Sequence, residues 1–240
     1  MYKGQRLLAF IPARGGSKGL PRKNILPLAG RPLVAWTIGQ ALASGVFDTV
    51  MVSTDDEEIA GVARSHGAEV PALRPAHLAK DDTPTIDVIV HTVEGYRSSG
   101  REFEYVALLE PTSPLRARED LALATKRLVD ASATADSLVS VGEIHMESPF
   151  IAQVIRDGWV EPLMPAEFAG IFQRQQLPKA FFPYGVIYIS KTVALLEHRK
   201  FYQPRTIPYP IQRWQNFEID DAIDLLCTEA IIGKHGKEMQ

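Results

Sequence analysis

Leu7-Leu8-Ala9-Phe10-Ile11-Pro12-Ala13-Arg14-Gly15-Gly16-Ser17-Lys18-Gly19-Leu20-Pro21-Arg22-Lys23-Asn24 is the stretch whose reading decides the fold. Residues 7–11 form an unbroken apolar run, the pattern of a strand buried on both faces. The strand runs directly into a loop with three glycines (Gly15, Gly16, Gly19) and four cations (Arg14, Lys18, Arg22, Lys23). Glycine lets the backbone approach a ligand closely and turn its N–H groups inward, and the cations neutralise several negative charges at once. Ligands of open α/β sheets sit at the carboxyl ends of strands, so this loop reads as a triphosphate site rather than a solvated basic turn. It is not a P-loop, because the spacing of glycines before Lys-Ser/Thr is absent. Nor do Gly15, Gly16 and Gly19 fit the G-x-G-x-x-G dinucleotide fingerprint.

Outward from the loop, strand-like and helix-like segments alternate. Pro32 suits the first turn of a helix reaching about Ser44. Residues 49–53 read as a strand. Ile59, Val62 and Ala63 line one face of a helix ending near Gly67. Ile86, Ile89, Val90 and Val93 have helical spacing, and residues 105–109 read as a buried strand. Leu121, Ala124 and Leu128 mark another helix, while residues 137–141 and 186–190 look like later strands. Ile223, Leu226, Cys227, Ala230 and Ile231 form an i, i+3, i+4, i+7, i+8 stripe, expected to face the core. A repeated β-α pattern of this kind gives a three-layer, Rossmann-like α/β/α fold around a mostly parallel sheet. The rhythm breaks between residues 143 and 183, where five prolines alternate with aromatics. Structureless loops of that length are uncommon in compact domains unless they are functional, and exposed aromatics suit a partner interface.

The chain has 240 residues and is read as a single domain over 1–240 carrying an insertion. Its formal net charge of −3 argues against general nucleic-acid binding, so the basic loop is a local feature. One cysteine, Cys227, excludes an intrachain disulfide and is expected to be a small core residue. No signal sequence or membrane-length apolar run is present, which fits a cytoplasmic protein without membrane association.

The string from Ile11 to Asn24 closely resembles the signature of the N-acylneuraminate cytidylyltransferases, or CMP-sialic acid synthetases. The resemblance recurs in order at Val52-Ser53-Thr54-Asp55, at Leu73-Arg74-Pro75-Ala76-His77-Leu78-Ala79 and at Leu109-Glu110-Pro111-Thr112-Ser113-Pro114-Leu115-Arg116. It continues at Arg174-Gln175-Gln176-Leu177-Pro178, at Gly185-Val186-Ile187-Tyr188-Ile189 and at Glu218-Ile219-Asp220. It implies a nucleotidyltransferase that joins a nine-carbon 2-keto sugar acid to CTP, forming the CMP-sugar and pyrophosphate. It also implies a homodimer whose dimerisation extension, here residues 143–183, closes over the sugar site.

By this resemblance Arg14, Lys23 and Asp220 carry the catalysis, which rests on positioning and charge neutralisation. The nucleotide falls to Arg14, Gly15, Ser17, Lys18, Lys23, Asn24, Arg74 and Asp81. Arg22 reads equally as a solvated surface charge. Glu110, Thr112, Ser113, Arg174, Gln175 and Tyr188 are assigned to the sugar. Thr112 and Ser113 have an alternative role as caps of a helix after Pro114. Mg²⁺ or Mn²⁺ is implied, with Asp220 and Glu218 as ligands, because such ions take one or two carboxylates plus phosphates and waters. Glu218 and Asp220 are two apart on an extended segment and so share a face. The competing reading is that Asp220 or Asp221 caps the final helix. No histidine stands out as a general base.

Three positions depart from the usual family pattern: Glu110 for glutamine, Phe182 for arginine and Tyr184 for asparagine. With one cation fewer, and Arg174 left to hold the sugar carboxylate, a modified nonulosonic acid is expected in place of N-acetylneuraminate. The alternatives are a cytidylyltransferase for the eight-carbon acid Kdo, a transferase for sugar 1-phosphates, and a non-catalytic nucleotide-binding protein on the same fold.

Overall fold

The computed structural model describes residues 2–17, 19–145, 147–164 and 176–239. In chain order the elements are β1 (Leu7–Pro12), β2 (Pro27–Leu28), β3 (Arg31–Pro32), α1 (Leu33–Ser44), β4 (Thr49–Ser53) and α2 (Glu57–Ser65). There follow α3 (Thr85–Ser98), β5 (Tyr105–Leu108), α4 (Asp120–Asp130), β6 (Ser137–Glu143), β7 (Gln153–Arg156) and β8 (Trp159–Pro162). The chain continues with β9 (Phe181–Lys191), α5 (Thr192–His198), β10 (Thr206–Pro210) and α6 (Ala222–His235).

Six strands form one sheet in the order β10-β6-β9-β5-β1-β4. β1 pairs parallel with β4 and β5, and β6 pairs parallel with β10, whereas β9 runs antiparallel to both β5 and β6. Alternation along β1 divides the core. Leu7, Ala9 and Ile11 pack with residues of α1, α2 and α4, while Leu8 and Phe10 pack with residues of α3 and α5. Helices thus cover both faces, as the uninterrupted apolar run of β1 requires. A third cluster around Leu28, Leu33, Trp36, Leu115 and Ile219 takes in Ile232 of α6.

Several sequence expectations need correction. β10 and α5 were not legible. β10 carries Pro208 and Pro210, which suit it only because it is the edge strand and needs no donor on its outer side. No helix follows Pro114 directly, since α4 begins at Asp120, so Thr112 and Ser113 cap nothing. All of the stripe on α6 but Ile231 faces outward: Ile223 is 65% and Leu226 62% exposed, and Cys227 and Ala230 are exposed too, whereas Ile231 packs against the third cluster. The inward face is made by Leu225, Thr228 and Ile232. Asp221 caps α6, accepting from the N–H groups of Ile223 and Asp224, which releases Asp220 from that role.

Within residues 143–183, β7 and β8 form an antiparallel hairpin that pairs with no other described strand. Its Ile155, Trp159 and Val160 side chains are exposed. Phe181 and Phe182 begin β9, pairing with Glu143 and Gly142 of β6. Arg174 and Gln175 lie outside the described residues, as does Lys18.

Candidate active site

A cleft of about 550 Å³ opens where β1 and β5 end at their carboxyl ends. Its walls include Arg14, Ser17, Lys23 and Asn24 from the first loop, and Arg74 and Asp81 from the segment between α2 and α3. Glu110 and Thr112 follow β5, and Asp220 precedes α6. Four regions distant in sequence therefore meet at the end of the sheet where α/β folds bind ligands.

The loop holds its shape through its own backbone. The Asn24 side chain is buried, and its Nδ2 donates to the Arg14 carbonyl at 3.0 Å. Gly15 donates its N–H to Asp55 Oδ1 at 2.9 Å. Gly19 has to be glycine, because a Cβ there would lie 2.3 Å from the Asp220 carbonyl oxygen. This close approach brings the first loop against the acidic segment roughly two hundred residues later in the chain.

The cations are already paired. Arg14 Nη1 lies 2.5 Å from Asp81 Oδ1. Lys23 Nζ donates to the Ile219 carbonyl and to Asp220 Oδ1, both at 2.8 Å, and its side chain is only 13% exposed. Arg74 is held by Ser53, donating from Nε to Oγ at 3.1 Å and from Nη2 to the carbonyl at 2.7 Å. Arg22 turns away to bind Asp56 and Glu58, so it is the solvated charge of the two readings.

Along the acidic segment Asp220 lines the cleft and Glu218 does not. Ile219 is fully buried in the third core cluster, and its N–H donates to the Thr112 carbonyl at 2.8 Å. Flanking it, Asp220 is exposed toward the cleft, while Glu218 Oε1 accepts from Ser113 Oγ and from the Gly185 N–H, each at 2.7 Å. Ser113 is buried and, unlike Thr112, does not line the cleft. Tyr188 also lies off the cleft lining, its ring against Phe201 and Tyr202.

The sequence reading gave no role to Arg116, yet it organises this end of the molecule. It is fully buried and uses all five of its N–H donors. Nε donates to Val186 O, Nη1 to Thr37 Oγ1 and Gln40 Oε1, and Nη2 to Glu110 O and Gly185 O. Burial pushes its guanidinium down to about 10, against the opposing pull of Asp120, Glu110 and Glu218. It therefore stays charged at neutral pH. Thr83 and Thr85 are further residues of the site that no sequence signal marked.

Burial, and next the negative charges of Glu218 and Asp220, push the Glu110 carboxyl up to about 7, with Arg116 and Lys23 opposing. An acid that holds its proton more tightly when folded stabilises the fold fully below its unfolded value, and that stabilisation is lost as pH rises through the folded one. In metal-free buffer, Glu110→Gln is expected to nearly match the wild type in stability near pH 4.5 and to exceed it by about 3 kcal/mol at pH 8. Thermal unfolding at the two pH values checks this, and equal gains at both would contradict it.

Residues 8–166 match the model of the cytidylyltransferase family. The CMP-N,N'-diacetyllegionaminic acid synthase of Legionella pneumophila is 34% identical over 229 residues, 95% of this chain and 96% of the relative. A pseudaminic acid cytidylyltransferase of Campylobacter jejuni is 32% identical over 218 residues, 91% of this chain and 92% of the relative. An N-acylneuraminate cytidylyltransferase of Escherichia coli is 32% identical over 233 residues, covering 97% of this chain but 54% of the longer relative. Among solved structures, a CMP:2-keto-3-deoxy-manno-octonic acid synthetase complexed with CTP superposes with a TM-score of 0.70 at 16% identity, over 96% of this chain and 99% of that one. At that identity the superposition speaks for the fold alone. The relatives match along nearly the whole of this sequence. The chain thus belongs to the cytidylyltransferase family, in the group of the N-acylneuraminate cytidylyltransferases and their legionaminic and pseudaminic acid counterparts.

Proposed function

We propose that the protein transfers the CMP group of CTP to a nonulosonic acid in this cleft. The observation that carries the reading is the convergence of Arg14, Lys23 and Asp220 on one cavity at the end of β1 and β5. The anomeric hydroxyl oxygen of the acid attacks the α-phosphorus, its proton passing to water or a carboxylate at the cleft. The bond to the bridging oxygen breaks and pyrophosphate leaves with that oxygen. Arg14 and Lys23 exchange their carboxylate partners for phosphate oxygens, which places fixed positive charge where negative charge builds up. Ser17 and Asn24 shape the nucleotide side, and Glu110 and Thr112 face the acceptor.

The donor set suits Mg²⁺ or Mn²⁺. Glu218 and Asp220 offer only oxygens, and their charge already burdens Glu110. Among the described residues no group of three or more His, Cys, Asp or Glu side chains could hold an ion by itself. Two carboxylates sharing an ion with phosphates and waters is the usual arrangement for Mg²⁺. When bound, the ion supplies charge neutralisation on the phosphates.

Glu110, Phe182 and the legionaminic and pseudaminic acid relatives favour a modified nonulosonic acid over N-acetylneuraminate. Pyrophosphate release from CTP should depend on the acid supplied, with the highest kcat/KM for legionaminic or pseudaminic acid. A preference for N-acetylneuraminate refutes the modified-acid reading, a preference for Kdo refutes the nonulosonic reading, and acid-independent release refutes both. The use of CTP supports a cytoplasmic enzyme, and no described helix is long and apolar enough to cross a membrane.

The exposed hairpin supports a homodimer, because an isolated two-stranded ribbon is at best marginally stable in water. Trp159, 74% exposed in one chain, is the natural anchor. Trp159→Asp is expected to convert a dimer into a monomer in light scattering. An unchanged mass would place the interface elsewhere.

A further inference from the structure

We infer that Ser113, together with the backbone N–H of Gly185, is a positioning residue that aims the Glu218 carboxylate at the divalent cation. The inference rests on the reading of Glu218 and Asp220 as the cation's ligands and adds what holds one of them in place.

The sequence assigns Ser113 to the sugar, but its position argues otherwise. Its side chain is 1% exposed and does not line the cleft. No helix starts near enough to need it as a cap. The single hydroxyl proton goes to Glu218 Oε1 at 2.7 Å, the oxygen that also accepts the Gly185 N–H at 2.7 Å. Two charge-assisted hydrogen bonds on one oxygen fix the rotation of the carboxylate, since turning it forfeits both. No described residue donates to the other oxygen, Oε2.

The clamp is itself braced. A Cβ on Gly185 would lie 2.6 Å from Glu110 Oε2 and 2.8 Å from Ser113 Oγ, so only glycine lets the three groups meet. The Gly185 carbonyl accepts from Arg116 Nη2 at 3.0 Å and from the Glu110 N–H at 3.2 Å. The Ser113 N–H donates to the Glu110 carbonyl at 3.2 Å. Arg116 thus fixes the two backbone segments that present the clamp, and the Ile219 N–H to Thr112 contact fixes the segment that carries Glu218. Hydrogen-bond partners that orient a metal-binding carboxylate govern affinity by 10–100-fold in general.

The test titrates Mn²⁺ into the intact enzyme with a non-hydrolysable CTP analogue, reading free Mn²⁺ by electron paramagnetic resonance. Wild type, Ser113→Ala, Glu218→Gln and the double variant are compared. Ser113→Ala is expected to weaken Mn²⁺ about tenfold and to raise half-saturating Mg²⁺ in turnover to the same degree. At saturating cation, the KM values for CTP and the acid should stay within about twofold, because the residue touches neither. In the Glu218→Gln background, Ser113→Ala should cost nothing more.

Wild-type Mn²⁺ affinity in Ser113→Ala overturns the inference, as does an equal cost in both backgrounds. A raised KM for the acid with unchanged cation dependence overturns it in favour of sugar contact. A wild-type enzyme that takes up no Mn²⁺ overturns the ligand reading and this inference together, which separates the two failures. If Ser113→Ala does not fold, Ser113→Cys keeps the volume, weakens the donor and is held to the same outcomes.

Discussion

Lys23→Ala is expected to lower kcat by about a thousandfold while the protein stays folded. Lys23 sits at the junction of the two halves of the site. Its Nζ reaches the Ile219 carbonyl and Asp220 from the loop that follows β1, nearly two hundred residues earlier in the chain. Removing the ammonium deletes a fixed charge that touches the acidic segment and leaves Asp220 exposed without this partner. Asp220 is solvated, so the structural cost is that of one hydrogen bond to a backbone carbonyl, about 1 kcal/mol. Steady-state turnover beside far-ultraviolet circular dichroism and a denaturant midpoint checks both halves of the expectation. A fall in activity explained by unfolding would make Lys23 structural, and near-normal turnover would remove it from the mechanism.

Arg116→Met should act the other way round, on the fold first. Methionine fills most of the volume but leaves a set of buried acceptors without donors, among them the carbonyls of Glu110, Gly185 and Val186. Breaking a buried charged network from one side costs about 3–5 kcal/mol. For a chain of this size that lowers the thermal midpoint by on the order of 10 °C. Arg116→Lys keeps the charge but cannot place five donors in one plane, so it should fall between the two. Stability within about 1 kcal/mol of wild type for Arg116→Met would contradict the bracing role given to this residue.

What the sequence revealed, and what it hid, follows from the range of each interaction. The apolar run of residues 7–11 and the Gly-rich loop after it are local, and both appear where expected. The burial of Ile219 between two acidic neighbours was legible because extended chain alternates. The α6 stripe misled because periodicity locates an amphipathic face without saying what covers it. The described chain leaves Ile223 and Leu226 exposed and buries Thr228. β10 was hidden by its prolines, which only an edge position tolerates. Ser113 and Arg116 sit inside a recognisable motif, yet their partners on β9 and just before α6 lie 69 to 105 residues away. A hydroxyl's reach and a cation's burial are tertiary facts. Arginine in particular is read as a surface residue until the surrounding carbonyls are placed.

The most direct measurement is a crystal structure of the enzyme with CTP and Mg²⁺. The account predicts the triphosphate in the cleft after β1, with Arg14 and Lys23 within hydrogen-bond distance of phosphate oxygens and the ion on Asp220 and Glu218. Nucleotide bound elsewhere, with those four side chains remote from phosphate and metal, would contradict it.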